Sequence, residues 1–157
     1  MKLIRLSRAI VLGFVLLGAI MISACSAKVK VDLIATPNAS LDERGRPLSV
    51  VVRIYQLSEI RVFATSSFND LWKNDLKILG RGLLSRKEVH VIPNTTHALQ
   101  IKKQANVKFV GVVALFRHPK SGKWRAYRST RHGYVTRRLG LSQGYKVMLR
   151  NNELIMK

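Results

Sequence analysis

Three features of the 157-residue chain predict a mainly β fold, a two-sheet β-sandwich with one inserted amphipathic helix. Short alternating or β-branched apolar stretches recur between clusters of Pro, Gly, Asn and Ser, and seven or eight strands at that spacing form a sandwich. One stretch changes period: Phe68, Leu71, Trp72, Leu76 and Leu79 fall at i, i+3, i+4, i+8 and i+11, a single helical stripe. The 133 residues left after a 24-residue leader are enough to bury one core and show no internal repeat, so 25–157 reads as a single domain.

The leader has three parts. Lys2, Arg5 and Arg8 precede an apolar run from Ala9 to Ile22 that is broken only by Gly13 and Gly18, and Ile22-Ser23-Ala24-Cys25 follows. A positive start, an apolar core and small residues make a secretion signal. A cysteine directly after them makes a lipobox, the pattern at which bacteria acylate the thiol and cut before it. The run is too short for a spanning helix, which needs about 20 apolar residues. Residues 1–24 are therefore expected to be removed and Cys25 to carry lipid. As the only cysteine it permits no internal disulfide. Ser26, in place of the Asp that retains many lipoproteins in the inner membrane, favours delivery to the outer membrane.

Lys28–Leu33 alternates polar with apolar, the period of a half-buried strand. Thr36–Pro47 is rich in turn formers and makes a loop of about 12 residues, long beside the usual hairpin connection of about 2–5. Ser49–Leu57 is the most β-branched stretch and reads as a central strand. The helix is expected over 67–79, within an insertion spanning about 58–84. Ser67 and Asp70 resemble a capping box, Gly80 is a natural terminator, and the aromatic stripe should lie against a sheet. Further strands are expected at 87–92, 97–103, 107–117, 123–128, 145–150 and 153–156. The last two would meet across Asn151-Asn152, which tolerate the positive φ of a tight hairpin. Residues 129–144 read as a loop with little regular structure.

The formal charge is +20, and loss of the leader's three basic residues leaves +17. It is lopsided: +4 over 25–88 and +13 over 89–157, with no carboxylate between Glu88 and Glu153. Such a field favours anionic partners. Arg131, Arg137 and Arg138, with the turn at 118–122, form a candidate basic edge for an acidic protein face or anionic lipid.

Chemistry-bearing patterns are missing. His90, His97, His118 and His132 lack metal-ligand spacing and cysteine partners. There is no nucleophile elbow, and Leu79-Gly-Arg-Gly82 lacks the Gly-Lys-Ser/Thr ending of a phosphate loop. An enzyme, a cofactor and a metal are not expected. Lys123–Arg128 interleaves basic and aromatic residues as single-strand binders do, but strand alternation makes Trp124 a core residue, and nucleic acid is not expected as a partner.

The segment Gly45-Arg-Pro-Leu-Ser-Val-Val-Val-Arg-Ile-Tyr-Gln-Leu57 resembles the signature of the TssJ (SciN) family, the outer-membrane lipoproteins of type VI secretion systems. Phe63, Phe68-Asn-Asp-Leu71, Leu79-Gly-Arg-Gly-Leu-Leu84, Pro93, Gly111-Val-Val-Ala-Leu-Phe-Arg117 and Trp124-Arg125 follow in the family's order. The resemblance implies a transthyretin-like sandwich with a helical insertion. It also implies a non-enzymatic tether that binds the periplasmic C-terminal region of TssM, the IcmF-like inner-membrane protein. The loop joining the first two strands is implicated in that contact, which makes Asn38, Leu41, Asp42, Glu43, Arg44 and Arg46 the candidates here. The competing expectation is a basic lipoprotein that binds lipopolysaccharide or anionic phospholipid outside any secretion machine.

Overall fold

The computed structural model describes residues 27–130 and 143–157. Eight strands build two four-stranded sheets. They are β1 (Lys28–Ala35), β2 (Val50–Leu57), β3 (Leu83–Val91), β4 (Thr96–Lys102), β5 (Phe109–Leu115), β6 (Arg125–Ser129), β7 (Gln143–Arg150) and β8 (Glu153–Met156). The first sheet runs β4-β1-β7-β8 and the second β3-β2-β5-β6. All eight predicted strands are present, displaced by a few residues at most of their ends. In the first sheet β1 pairs antiparallel with β4 and parallel with β7.

The alternation in the sequence becomes the core. Val29, Val31, Leu33 and Ala35 of β1 face Val50, Val52 and Ile54 of β2, all buried, and Lys28, Lys30 and Asp32 are left outside. Each fully buried aliphatic side chain contributes roughly 1.5–3 kcal/mol. Gln56, also buried, closes one end: its amide donates to Lys102 O at 2.8 Å and its carbonyl accepts from Gln104 N at 2.9 Å. Asn151 and Asn152 take φ of 51° and 60°, the tight β7–β8 turn expected of them.

The single helix does not form as predicted. A short helix α1 (Arg61–Thr65) precedes it, and the stretch itself splits into α2 (Phe68–Lys73) and α3 (Asp75–Leu79), followed by a 3-10 turn at Gly80–Gly82. The capping box is real, with Asp70 N donating to Ser67 Oγ and Ser67 N to Asp70 Oδ2, both at 3.1 Å. The chain breaks at Asn74, and the buried side keeps only part of the predicted stripe, with Phe68 half-buried against the core. Leu71 and Leu79 are buried, but Trp72 is 47% and Leu76 57% exposed, while Asp75 is buried. The insertion turns its 71/75/79 side to the second sheet because partners for a carboxylate wait there. Tyr55 Oη donates to Asp75 at 2.9 Å, Arg86 Nη1 donates to both carboxylate oxygens at 2.9 and 3.0 Å, and Arg53 lies at 3.3 Å.

Burial pushes the Asp75 carboxyl up, but the Arg86 and Tyr55 hydrogen bonds and the Arg53 charge outweigh it and hold the carboxyl below the usual aspartate range. A depressed folded value makes the contribution complete above the unfolded value and drains it as pH falls further. Asp75→Asn is therefore expected to cost about 2 kcal/mol at neutral pH by stranding the Tyr55 hydroxyl and two guanidinium groups. The difference from the parent should shrink as pH drops below the ordinary aspartate value of 3.8. Urea unfolding of both proteins across that range checks it, and a constant difference down to strong acid would refute it.

Candidate functional site

The β1–β2 loop is held in place rather than loosely draped. Thr36 N donates to Leu149 O at 3.1 Å, and Ala39 and Ser40 are buried against the sandwich. The β7–β8 turn straps the loop from outside. Asn151 N donates to Asn38 O at 2.6 Å and Asn152 N to Ala39 O at 3.1 Å. The Asn152 side chain clamps the Leu41 backbone, accepting from its N–H at 2.7 Å and donating to its C=O at 3.3 Å.

Beyond that strap the loop closes into a small hairpin. Leu41 bridges Pro47, and Leu48 N donates to Ser40 O at 2.8 Å. Asp42 is the internal brace. Its Oδ1 accepts from Arg44 N at 2.9 Å and Arg46 N at 2.8 Å, and its Oδ2 accepts from Arg46 Nε at 2.8 Å. The Arg46 N–H, foremost among these, holds the Asp42 carboxyl below its ordinary range. Gly45 makes the turn at φ 73°, a conformation most side chains resist.

The six candidate residues therefore divide. Asp42 faces inward as the brace and Leu41 is half-buried, whereas Asn38, Glu43, Arg44 and Arg46 are exposed. Two residues join them from the β5–β6 turn, which the sequence marked as part of a basic edge and not as a neighbour of this loop. His118 Nε2 lies 3.6 Å from Glu43 Oε1, and Arg117 completes a polar depression with the loop. Beside it runs an apolar groove of about 430 Å³, lined chiefly by Leu48, Val51, Phe68, Trp72, Leu115 and Phe116. Trp72 stands as its outer wall, its ring 6.2 Å from Phe68, which meets the buried Trp124 edge-on at 5.1 Å. Trp72 was legible as an aromatic on the helix; its outward direction was not, because that depends on where Asp75 is buried.

The basic-aromatic run at 123–128 is divided, with Lys123, Tyr127 and Arg128 exposed and its centre turned inward. Trp124 is buried, and Arg125 stacks 4.6 Å from its ring while donating to the carbonyls of Phe63 and Ser66. Cys25, Arg131, Arg137 and Arg138 lie outside the described residues. Among the described residues no group of three or more His, Cys, Asp or Glu could hold a metal ion, and no helix is long and apolar enough to cross a membrane.

Fold and site together define a loop-presenting β-sandwich, whose distinctive surface is one end of its sheets. The profile described as type VI secretion lipoprotein (VasD, EvfM, TssJ) matches residues 27–152, and the chain belongs to that family. It is thus a membrane-bound lipoprotein of type VI secretion, as the resemblance implied. Several solved structures are similar, three of them as follows. The type VI secretion lipoprotein TssJ1 from Pseudomonas aeruginosa is 18% identical with a TM-score of 0.73, over 84% of this chain and 95% of that one. A chain of a structure described as the type VI membrane complex is 27% identical with a TM-score of 0.73, over 84% and 98%. A chain of a structure described as the TssM C-terminal domain (869-1107) from EAEC is 24% identical with a TM-score of 0.68, over 83% and 97%. No curated protein matches the chain.

Proposed function

We propose that the protein is a tether. Residues 1–24 are removed on export, lipid on Cys25 holds the domain 25–157 to the periplasmic face of the outer membrane, and the loop between β1 and β2 grips the periplasmic C-terminal region of the IcmF-like protein TssM. The role is mechanical and needs no catalysis. Family membership supports the reading, as does the likeness to a chain of a type VI membrane complex. The match named for the TssM domain involves a chain of this protein's own size, since 83% of this chain covers 97% of it.

The observation that carries the proposal is the bracing of the loop. An exposed loop held by Asn152, Asp42 and a buried Ala39-Ser40 step is already ordered before a partner arrives, which lowers the entropy cost of docking. The flanking groove supplies the apolar surface that charged loop residues lack, with Trp72 the kind of aromatic that anchors interfaces. Because Ser40 is buried, substitutions test the surface more cleanly than a deletion would. Glu43→Lys with Arg44→Glu, and separately Trp72→Ala, should each weaken binding of the purified TssM periplasmic domain by about tenfold or more, roughly 1.4 kcal/mol. Melting temperatures should stay within a few degrees of the parent. Calorimetric titration giving parental affinity for both variants would place the contact elsewhere.

A further inference from the structure

The end of the sandwich opposite the braced loop has a charge distribution of its own. Strand β1 starts there, and register sets Lys28 directly opposite Lys102 of β4, with Lys30 on the next outward rung opposite Gln100. Lys103, whose N–H donates to Ala27 O at 2.9 Å, and Lys108, whose N–H donates to Leu57 O at 2.9 Å, bracket the β4–β5 turn at the same end. Lys28, Lys30, Lys102 and Lys108 are exposed. Like charges directly opposite on a sheet destabilise it, yet the local partner of Lys28 Nζ is the neutral Gln100 side chain at 3.1 Å.

No ion pair among the described residues involves any of these five lysines. The acids are engaged elsewhere. Asp42, Glu43 and Glu153 pair with Arg46, His118 and Lys120/Lys123 around the loop, and Asp75 and Glu88 pair with Arg53 and Arg86 beneath the helices. The remaining carboxylates near this end are Asp32, opposite Lys146 further along β1, and the exposed Glu59 beside the 3-10 turn. The described end is thus net positive and faces away from the loop. Cys25 precedes Lys28 by three residues, a reach of at most about 11 Å, comparable to the distance of about 8 Å over which exposed charges act at physiological ionic strength.

We propose that this end rests on anionic phospholipid headgroups of the leaflet that holds the anchor, with Lys28, Lys30, Lys102 and Lys108 as the contact residues. The inference rests on lipidation of Cys25. Headgroup contact at one end points the loop and groove away from the bilayer, so the lipid fixes position and the lysines fix orientation.

The test uses the mature lipidated protein in phosphatidylcholine vesicles with and without phosphatidylglycerol. Amine acylation read by mass spectrometry should slow several-fold at Lys28, Lys30, Lys102 and Lys108 only when phosphatidylglycerol is present. Lys73, Lys77 and Lys120 should label equally in both, and high salt should erase the difference. The Cys25→Ser form of the mature chain should bind phosphatidylglycerol vesicles weakly. Adding Lys28→Gln, Lys30→Gln, Lys102→Gln and Lys108→Gln to it should lower that partitioning at least tenfold, since each lysine near an anionic surface is worth about fivefold. An anchored protein whose four lysines label equally with and without the anionic lipid would overturn the headgroup contact and leave the anchor standing. A Cys25 peptide without acyl mass would overturn both. Protection that appears only when the TssM domain is added would reassign the lysines to a protein partner and overturn the lipid contact.

Discussion

Phe63→Ala is expected to lower the stability of the domain by about 3–5 kcal/mol, the usual cost of emptying an aromatic site. That is a large share of the roughly 5–15 kcal/mol that holds a typical domain folded. Phe63 is the nail that fixes the helical insertion to the second sheet. Its side chain is fully buried, and its ring lies edge-on to Tyr55 at 5.6 Å and Tyr127 at 6.3 Å. Between those two tyrosines, in register with both, stands Gly111 of β5. A Cβ at 111 would come within 2.8 Å of Phe63 Cζ, so the missing side chain is the space the ring occupies. The backbone is fastened as well, Arg125 Nη1 donating to Phe63 O at 3.0 Å. Gly111→Val should therefore be destabilising too, through overpacking of about 1–3 kcal/mol. Denaturant unfolding measures both, and a Phe63→Ala midpoint equal to the parent's would mean that the insertion is held by other contacts.

Cys25→Ser should abolish stable membrane anchoring while leaving the domain folded. A single acyl chain holds a protein only marginally, at about 0.8 kcal/mol per buried CH₂, and stable anchoring takes more than one such signal. A bacterial lipoprotein's several chains sit on one sulfur and one amine of one residue, so a single substitution removes them together. Among the described residues the buried core begins at Val29. Fractionation should move the variant from the membrane to the soluble pool, with unchanged unfolding of the purified domain. Palmitate label persisting in the variant would overturn the assignment.

Much of this architecture could be read in the sequence because strands write their burial locally. Val29, Val31 and Leu33 alternate with Lys28, Lys30 and Asp32, and the alternation is the fold's inside and outside. Asn151-Asn152 and Ser67 with Asp70 are likewise local chemistry, and both appear as expected. The helical stripe held at Phe68, Leu71 and Leu79 but failed at Trp72 and Leu76, because hydropathy could not foresee a buried carboxylate. Asp75 looked like a surface residue until Tyr55 and Arg86, 20 and 11 residues away, came to meet it. At the loop, length and composition marked the segment but not its bracing. Asn152 reaches Leu41 across 111 residues, and no local pattern announces that contact. Nor could periodicity bring Arg117 and His118 beside Glu43, because the β5–β6 turn arrives there through sheet topology alone.

The placement of β1 has a mechanical meaning. The segment leading from Cys25 enters this strand at one end and the braced loop leaves it at the other, so tension between a bilayer and a captured partner would travel along eight residues. The strand is an interior one, hydrogen-bonded over Lys28–Ile34 to β4 on one side and Val29–Ala35 to β7 on the other. A tug along its axis runs across both ladders of bonds, loading them in shear so that they share the force instead of unzipping one after another. The Asn152 clamp and the Thr36 bond to Leu149 pass part of that force sideways into β7 and β8.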